Sequence, residues 1–203
     1  MFWDGVAGVY DLFANVYNKK VHKVLCDKIN SMIENTDEVL ECACGTGMLT
    51  IGIAQRCKHI IATDFSKKML KKAEKKCCEL KNAEFCQADI MRLNYEDESF
   101  DKVIAANVIH LLDNPSEAFN ELMRVCRSGG EVIIPTYMNR KTDGTDNRFS
   151  KIVGKAGANF KKQFTLNTYK GFFADMGAHD VKYTFINGRV PCAVAVVTKN
   201  CKC

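Results

Sequence analysis

Between Glu38 and Tyr137, short apolar runs alternate with longer amphipathic ones. The apolar runs are "EVLECA", "HIIATD", "AEFCQAD", "FDKVIAANV" and "EVIIPTY". Between them lie "MLTIGIAQRC", a lysine-rich stretch opened by Ser66, and "NPSEAFNELMRVC". Strand-length runs alternating with helix-length segments predict βαβ units. Right-handed crossovers then give an α/β fold, a parallel sheet with helices on both faces. Such a sheet binds its ligand at the carboxyl ends of its strands, near the point where strand order reverses. Three acids fall at successive strand ends: Glu41, Asp64 and Asp89.

The flanks refine this picture. Residues Tyr10 to Asn35 carry helical periodicity, with Val21, Val24, Leu25, Ile29, Met32 and Ile33 on one stripe. Ser66 suits an N-cap, and so does Asn114 with Pro115 at the first helical position. The Ser-Gly-Gly after Arg127 is expected to stop that second helix before the fifth strand. Residues 138–163 are polar and ambiguous. "TLNTYKGFFADMGA" then predicts a helix capped by Thr165 or Asn167 and stopped at Gly177. "DVKYTFI" and "PCAVAVVTK", with a turn at Asn187-Gly188, predict a hairpin, so the sheet ends on an antiparallel element.

At 203 residues, 47% apolar and 26% charged, the chain is expected to form one ordinary globular domain. Its longest apolar runs are strand-sized and "MFWDGVAGVYD" is no signal peptide, so the expectation is a cytoplasmic protein with no membrane segment. Eleven cysteines without a paired CxxC or CxxH spacing read as reduced structural thiols, and no metal is expected. The net charge of +5 is concentrated in the lysine-rich helix, which has no interleaved aromatics. That reads as a solvated face, and nucleic acid is not an expected partner.

The ligand follows from the first turn. A dinucleotide fingerprint places a third glycine where this chain has Thr50 after Gly45 and Gly47. A pyrophosphate favours bare N–H groups and positive dipole, and the Glu41 carboxylate would repel it. The same carboxylate suits a ligand bearing an ammonium group.

"VLECACGTG" resembles motif I of class I S-adenosylmethionine-dependent methyltransferases, with Ala43 where the first glycine is usual. "IIATDFSKKML" and "QADIMRL" resemble the second and third motifs, and "FDKVIAANVIHLL" and "LMRVCRSGGEVIIPTY" the units after them. The resemblance covers roughly residues 36–136, and "YDLFANVY" is similar to the start of the small quinone-biosynthesis-like members. It implies a Rossmann-like three-layer sandwich, a seven-stranded, mostly parallel sheet with an antiparallel C-terminal hairpin. It also implies S-adenosyl-L-methionine as cofactor, with S-adenosyl-L-homocysteine as product. The single methyltransferase domain, 1–203, would comprise a helical cap (1–35), a cofactor core (36–136), a substrate lid (137–170), and a last helix and hairpin (171–203).

The resemblance also implies roles. Ala43, Gly45 and Gly47 would let backbone approach the methionine part of the cofactor, and Glu41 would orient its ammonium. Asp64 would accept the ribose hydroxyls, a carboxylate matching a vicinal diol. Phe65 would flank the adenine, Asp89 would accept its amino group, and the Ile90 N–H would reach a ring nitrogen. Asn107 would face the methionine, and Tyr17, from a segment that closes over the cofactor, would touch it.

Methyl transfer from a sulfonium is an in-line displacement, so positioning and exclusion of water supply much of the rate. Where an acceptor must lose a proton, His110 is the candidate base. His22, His59 and His179 read as helix-face or strand-edge residues. The expected partner is a small-molecule methyl acceptor, with the chain a monomer or homodimer. The alternatives are a non-catalytic S-adenosylmethionine-binding protein or an RNA methyltransferase. Arg140, Lys141, Arg148, Lys151, Lys155, Lys161 and Lys162 would give the lid a charge that steers an anionic or polar acceptor.

Overall fold

The computed structural model describes residues 16–138, 163–178 and 180–200. One sheet of seven strands organises them: β1 (Glu38–Cys42), β2 (His59–Asp64), β3 (Ala83–Gln87), β4 (Phe100–Ala105), β5 (Cys126–Tyr137), β6 (Val181–Ile186) and β7 (Cys192–Thr198). Their order across the sheet is β3-β2-β1-β4-β5-β7-β6. β1 to β5 pair in parallel, and β7 is antiparallel to both β5 and β6. The order therefore reverses between β1 and β4, and the strand ends there flank a crevice. The helices are α1 (Lys19–Asn30), α2 (Thr50–Ala54), α3 (Lys67–Lys76), α4 (Pro115–Val125) and α5 (Leu166–Asp175).

The central strands are apolar on both faces because both faces are covered. Leu40, Val103, Val132 and Ile134 pack toward α4 and α5, against Phe119, Leu122, Tyr169 and Phe173. Their neighbours Val39, Ile104 and Ile133 face the other way, against Val21, Leu25 and Ile29 of α1 and Ile53 of α2. This two-residue alternation makes three layers from one sheet. Burial pushes the Cys42, Cys126 and Cys192 thiols up to about 12, so they pack as small neutral hydrophobes. No helix among the described residues is long and apolar enough to cross a membrane.

The caps form as the side chains predict. Ser66 Oγ accepts from the Met69 N–H (3.2 Å), Asn114 Oδ1 from the Glu117 N–H (3.4 Å), and Thr165 forms a capping box with Thr168. Three local expectations need correction. Val24 is 50% exposed, because the buried stripe of α1 runs only through Val21, Leu25 and Ile29. Ser128-Gly129-Gly130 does not separate helix from strand. β5 begins at Cys126 and carries these residues as a bulge between the pairs Phe100–Cys126 and Lys102–Glu131. The Gly129 N–H donates to Lys199 O (2.7 Å), so the segment still pairs across the sheet. The last hairpin closes through residues 187–191 rather than a two-residue turn. Asn18, just before α1, holds that loop by donating to Val190 O (2.9 Å) and accepting from the Val190 N–H (3.3 Å).

Candidate functional site

After β1 the chain turns sharply through left-handed conformations at Ala43 (φ 55°), Gly45 (φ 59°) and Gly47 (φ 76°). Gly47 is also required by space: a Cβ there would lie 2.9 Å from Cys77 Sγ and 3.2 Å from Ala73 Cβ, so the turn rests on α3. Ala43, where the family pattern has glycine, adopts the positive φ nonetheless, at a cost of about 1–2 kcal/mol. Asp64, at the end of β2, ties the turn down. Its Oδ2 accepts from the Gly45 N–H (2.9 Å), and its Oδ1 from the Ser66 N–H ahead of α3 (2.8 Å).

Glu41 is 1% exposed, and Thr50 at the start of α2 donates a 2.6 Å hydrogen bond to its Oε2. Burial pushes its pKa up to about 8, the nearby Asp64 charge adds to the rise, and the Thr50 hydroxyl opposes it. Thr50 thus has a function that motif counting missed. The position that lacks a third glycine supplies the hydroxyl that holds the buried acid. A hydroxyl at a helix start was legible; that the turn brings it to Glu41 was not.

A cavity of about 290 Å³ opens at these strand ends, near the lower limit for cofactor sites. Glu41, Ala43 and Gly45 line it from the first turn, and Asp64 and Phe65 from the second. Asp89 and Ile90 line it after β3, and Asn107 after β4. Asp89 Oδ1 accepts from the Met91 N–H (3.0 Å), and half-exposed Phe65 stands at the rim. Asn107 is left-handed (φ 53°), and its N–H donates to Pro135 O (2.8 Å). Its side chain is only 8% exposed, and its Oδ1 is buried with no hydrogen-bond partner among the described residues. A buried acceptor of this kind needs a donor, and the cavity is where one can come from.

The remaining predicted residues lie elsewhere. Gly47 sits beneath the turn, off the cavity wall. Tyr17 is partly exposed, with the Arg189 guanidinium 5.3 Å from its ring, and is not on the wall. His110 lies in the short 3-10 turn Ile109–Leu111, which sends Leu111 to the cavity wall and leaves His110 buried behind it. Burial takes the His110 pKa down to about 4, so its ring is neutral at pH 7. The basic segment expected to form the lid lies, from residue 139 to 162, outside the described residues, as do His179 and residues 1–15. Conversely, the cavity recruits His22 and Leu25 from α1, Met48, and Asp113. His22 looked like an ordinary helix-face residue because sequence periodicity does not reveal which helix face borders a cavity.

The wall suits one class of ligand. Its carboxylates, Glu41, Asp64, Asp89 and Asp113, stand among Leu25, Met48, Leu49, Met69 and Leu111. Among the described residues, no Lys or Arg lines it. Acceptors set in apolar surface fit a ligand with an ammonium, hydroxyls and a flat ring, and disfavour a pyrophosphate.

Residues 40–134 match the family model described as a methyltransferase domain. A ubiquinone/menaquinone biosynthesis C-methyltransferase of Bdellovibrio bacteriovorus is 35% identical over 134 residues, 64% of this chain and 57% of that protein. A phosphatidylethanolamine N-methyltransferase of Cereibacter sphaeroides is 35% identical over 105 residues, 50% of this chain and 51% of that protein. The chain thus spans about half the length of these curated relatives. A Methanococcus maripaludis protein, assigned as an S-adenosyl-L-methionine-dependent methyltransferase, has the same fold. Its TM-score is 0.74 at 18% identity, with 100% of this chain and 95% of that one covered. The matched segment, the order of its motifs and the reversed β7 agree: residues 40–134 are similar to methyltransferase domains, and the fold is that of the class I S-adenosylmethionine-dependent methyltransferases.

Proposed function

We propose that the chain binds S-adenosyl-L-methionine and transfers its methyl group to a small-molecule acceptor. One observation carries this reading: a buried carboxylate, Glu41, on a cavity wall whose described residues include no Lys or Arg. Burial favours the neutral acid until a cation comes to stabilise the carboxylate, and the cofactor's ammonium is such a cation. Asp64 then accepts the ribose hydroxyls, and Asp89 and the Ile90 N–H read the adenine edge beside Phe65. Ala43 and Gly45 bring backbone close to the methionine part, and Gly47 supports the turn from below. The Asn107 Oδ1, buried without a partner among the described residues, accepts from the ligand.

When bound, the cofactor supplies a methyl group already activated on a sulfonium. The chain's residues then bind, orient and exclude water, which is the larger part of such a displacement. In this reading His110 is a neutral packing residue behind the wall, and the acceptor's proton leaves by another route. We take the acceptor to be small because both relatives described above are named for quinone or phospholipid chemistry. In this reading the chain works as a monomer or homodimer in the cytoplasm, without nucleic acid.

Calorimetry with S-adenosyl-L-homocysteine is expected to give micromolar affinity, and NADH no heat. The opposite pattern overturns the cofactor assignment. Transfer of a labelled methyl group to quinol, amine or thiol acceptors then tests the acceptor class, and turnover on RNA alone displaces the small-molecule reading.

A further inference from the structure

We propose that His22 receives the carboxylate of the cofactor's methionine part, and so makes the site selective for sulfonium nucleosides that carry a complete amino acid. The proposal rests on the reading of the cavity given above and adds a residue to it.

A methionine moiety brings two charges. Glu41 answers the ammonium. The carboxylate has to enter a cavity whose wall already holds Glu41, Asp64, Asp89 and Asp113. Like charge and desolvation both oppose it unless a donor meets it there. The turn after β1 does not supply one from Cys44, Gly45 or Gly47. Their N–H groups donate to Thr63 O (2.9 Å), Asp64 Oδ2 (2.9 Å) and Cys44 O (3.0 Å).

His22 is the only side chain among the described wall residues that can carry positive charge. It stands on α1 one turn before Leu25, which also lines the wall. Its Nε2 lies 3.5 Å from Cys26 Sγ, one turn further on. Leu25 shares a core cluster with Leu49 and Ile53, which flank the Thr50 that bonds Glu41, and this sets the same edge of α1 at the Glu41 end of the cavity. An imidazole there can donate whether neutral or protonated. Glu41 and His22 thus offer one acceptor and one donor to the two ends of a zwitterion.

The discriminating ligands are S-adenosyl-L-methionine and its decarboxylated analogue, which keeps the sulfonium and the ammonium and lacks only the carboxylate. By calorimetry on the whole chain, the parent is expected to bind S-adenosyl-L-methionine more tightly by about tenfold or more. His22→Ala loses about tenfold to a hundredfold for S-adenosyl-L-methionine and stays within about twofold for the analogue. His22→Gln, which keeps an N–H donor, recovers part of the preference, and serves also if the alanine variant fails to fold. Equal weakening for both ligands overturns the proposal and makes His22 a packing residue. No change for either overturns it as well. If the parent binds neither ligand, the cofactor reading falls and the role of His22 with it.

Discussion

The two edges of the parallel sheet treat acids in opposite ways. At the amino-terminal edge several carboxylates meet cations. Arg124 bonds Glu121 (2.9 Å), Asp97 (2.8 Å) and the carbonyls of Tyr95 and Leu93 (2.7 and 2.8 Å). Lys102 pairs with Glu131 (2.7 Å), Arg127 with Asp101 (2.7 Å) and Lys58 with Glu38 (2.8 Å). At the carboxyl-terminal edge, Glu41 is held by a hydroxyl, Asp64 by the N–H groups of Gly45 and Ser66, and Asp89 by that of Met91. The first edge neutralises its acids internally and gains stability. The second holds its acids on the cavity wall through hydroxyl and N–H groups.

The sharpest break in this contrast is Asp64→Ala. Calorimetry is expected to show about a hundredfold or greater loss of S-adenosyl-L-methionine affinity, since two charge-assisted bonds go. Asp101→Ala, at the other edge, leaves that affinity within about twofold. Equal losses from the two variants would dissolve the distinction.

Glu41→Gln comes next and separates binding from stability. The folded pKa of Glu41 lies above its ordinary 4.5, at about 8, so folding favours the neutral form. Its contribution to stability is therefore full below about pH 4.5 and declines as pH rises toward about 8. Thermal unfolding of the parent should show that decline and the Gln variant should not. At pH 8 the variant is expected to be the more stable by at least about 1 kcal/mol. It loses about tenfold in cofactor affinity. Parent affinity should rise with pH up to about 8, because the ammonium binds the carboxylate and not the carboxyl.

Arg124→Ala is the mirror experiment. It leaves two backbone carbonyls and two carboxylates without their shared donor. Denaturant titration is expected to read a loss of about 2 kcal/mol, with cofactor affinity unchanged. The smallest effect is expected from Ala43→Gly, which relieves the left-handed strain at the cost of a more flexible unfolded chain. A net gain of about 0.5–1 kcal/mol should appear in the same titration. A loss would mean that the Ala43 methyl group contributes packing that outweighs the strain.

Much of this contrast was legible before the structure. Glu41, Asp64 and Asp89 were found because an acid at the end of an apolar run is a local pattern, and so were the Ser66, Asn114 and Thr165 caps. The bulge at Ser128-Gly129-Gly130 was misread as a stop because glycines look the same in either role, and pairing with Lys199 O, far along the chain, decides between them. His110 was favoured for being close in sequence to Asn107. The 3-10 turn Ile109–Leu111 sends Leu111 to the wall and buries His110 behind it.

By itself the sequence determined the βαβ alternation, the reversed last strands and the acids at the strand ends, because periodicity and capping are written in neighbouring residues. Only the tertiary structure decided which donors each acid meets, that Thr50 reaches Glu41, and that one face of α1 brings His22 to the cavity. Those contacts join residues that neither period nor spacing relates, and burial, which pushes Glu41 up and His110 down, exists only once the layers have closed.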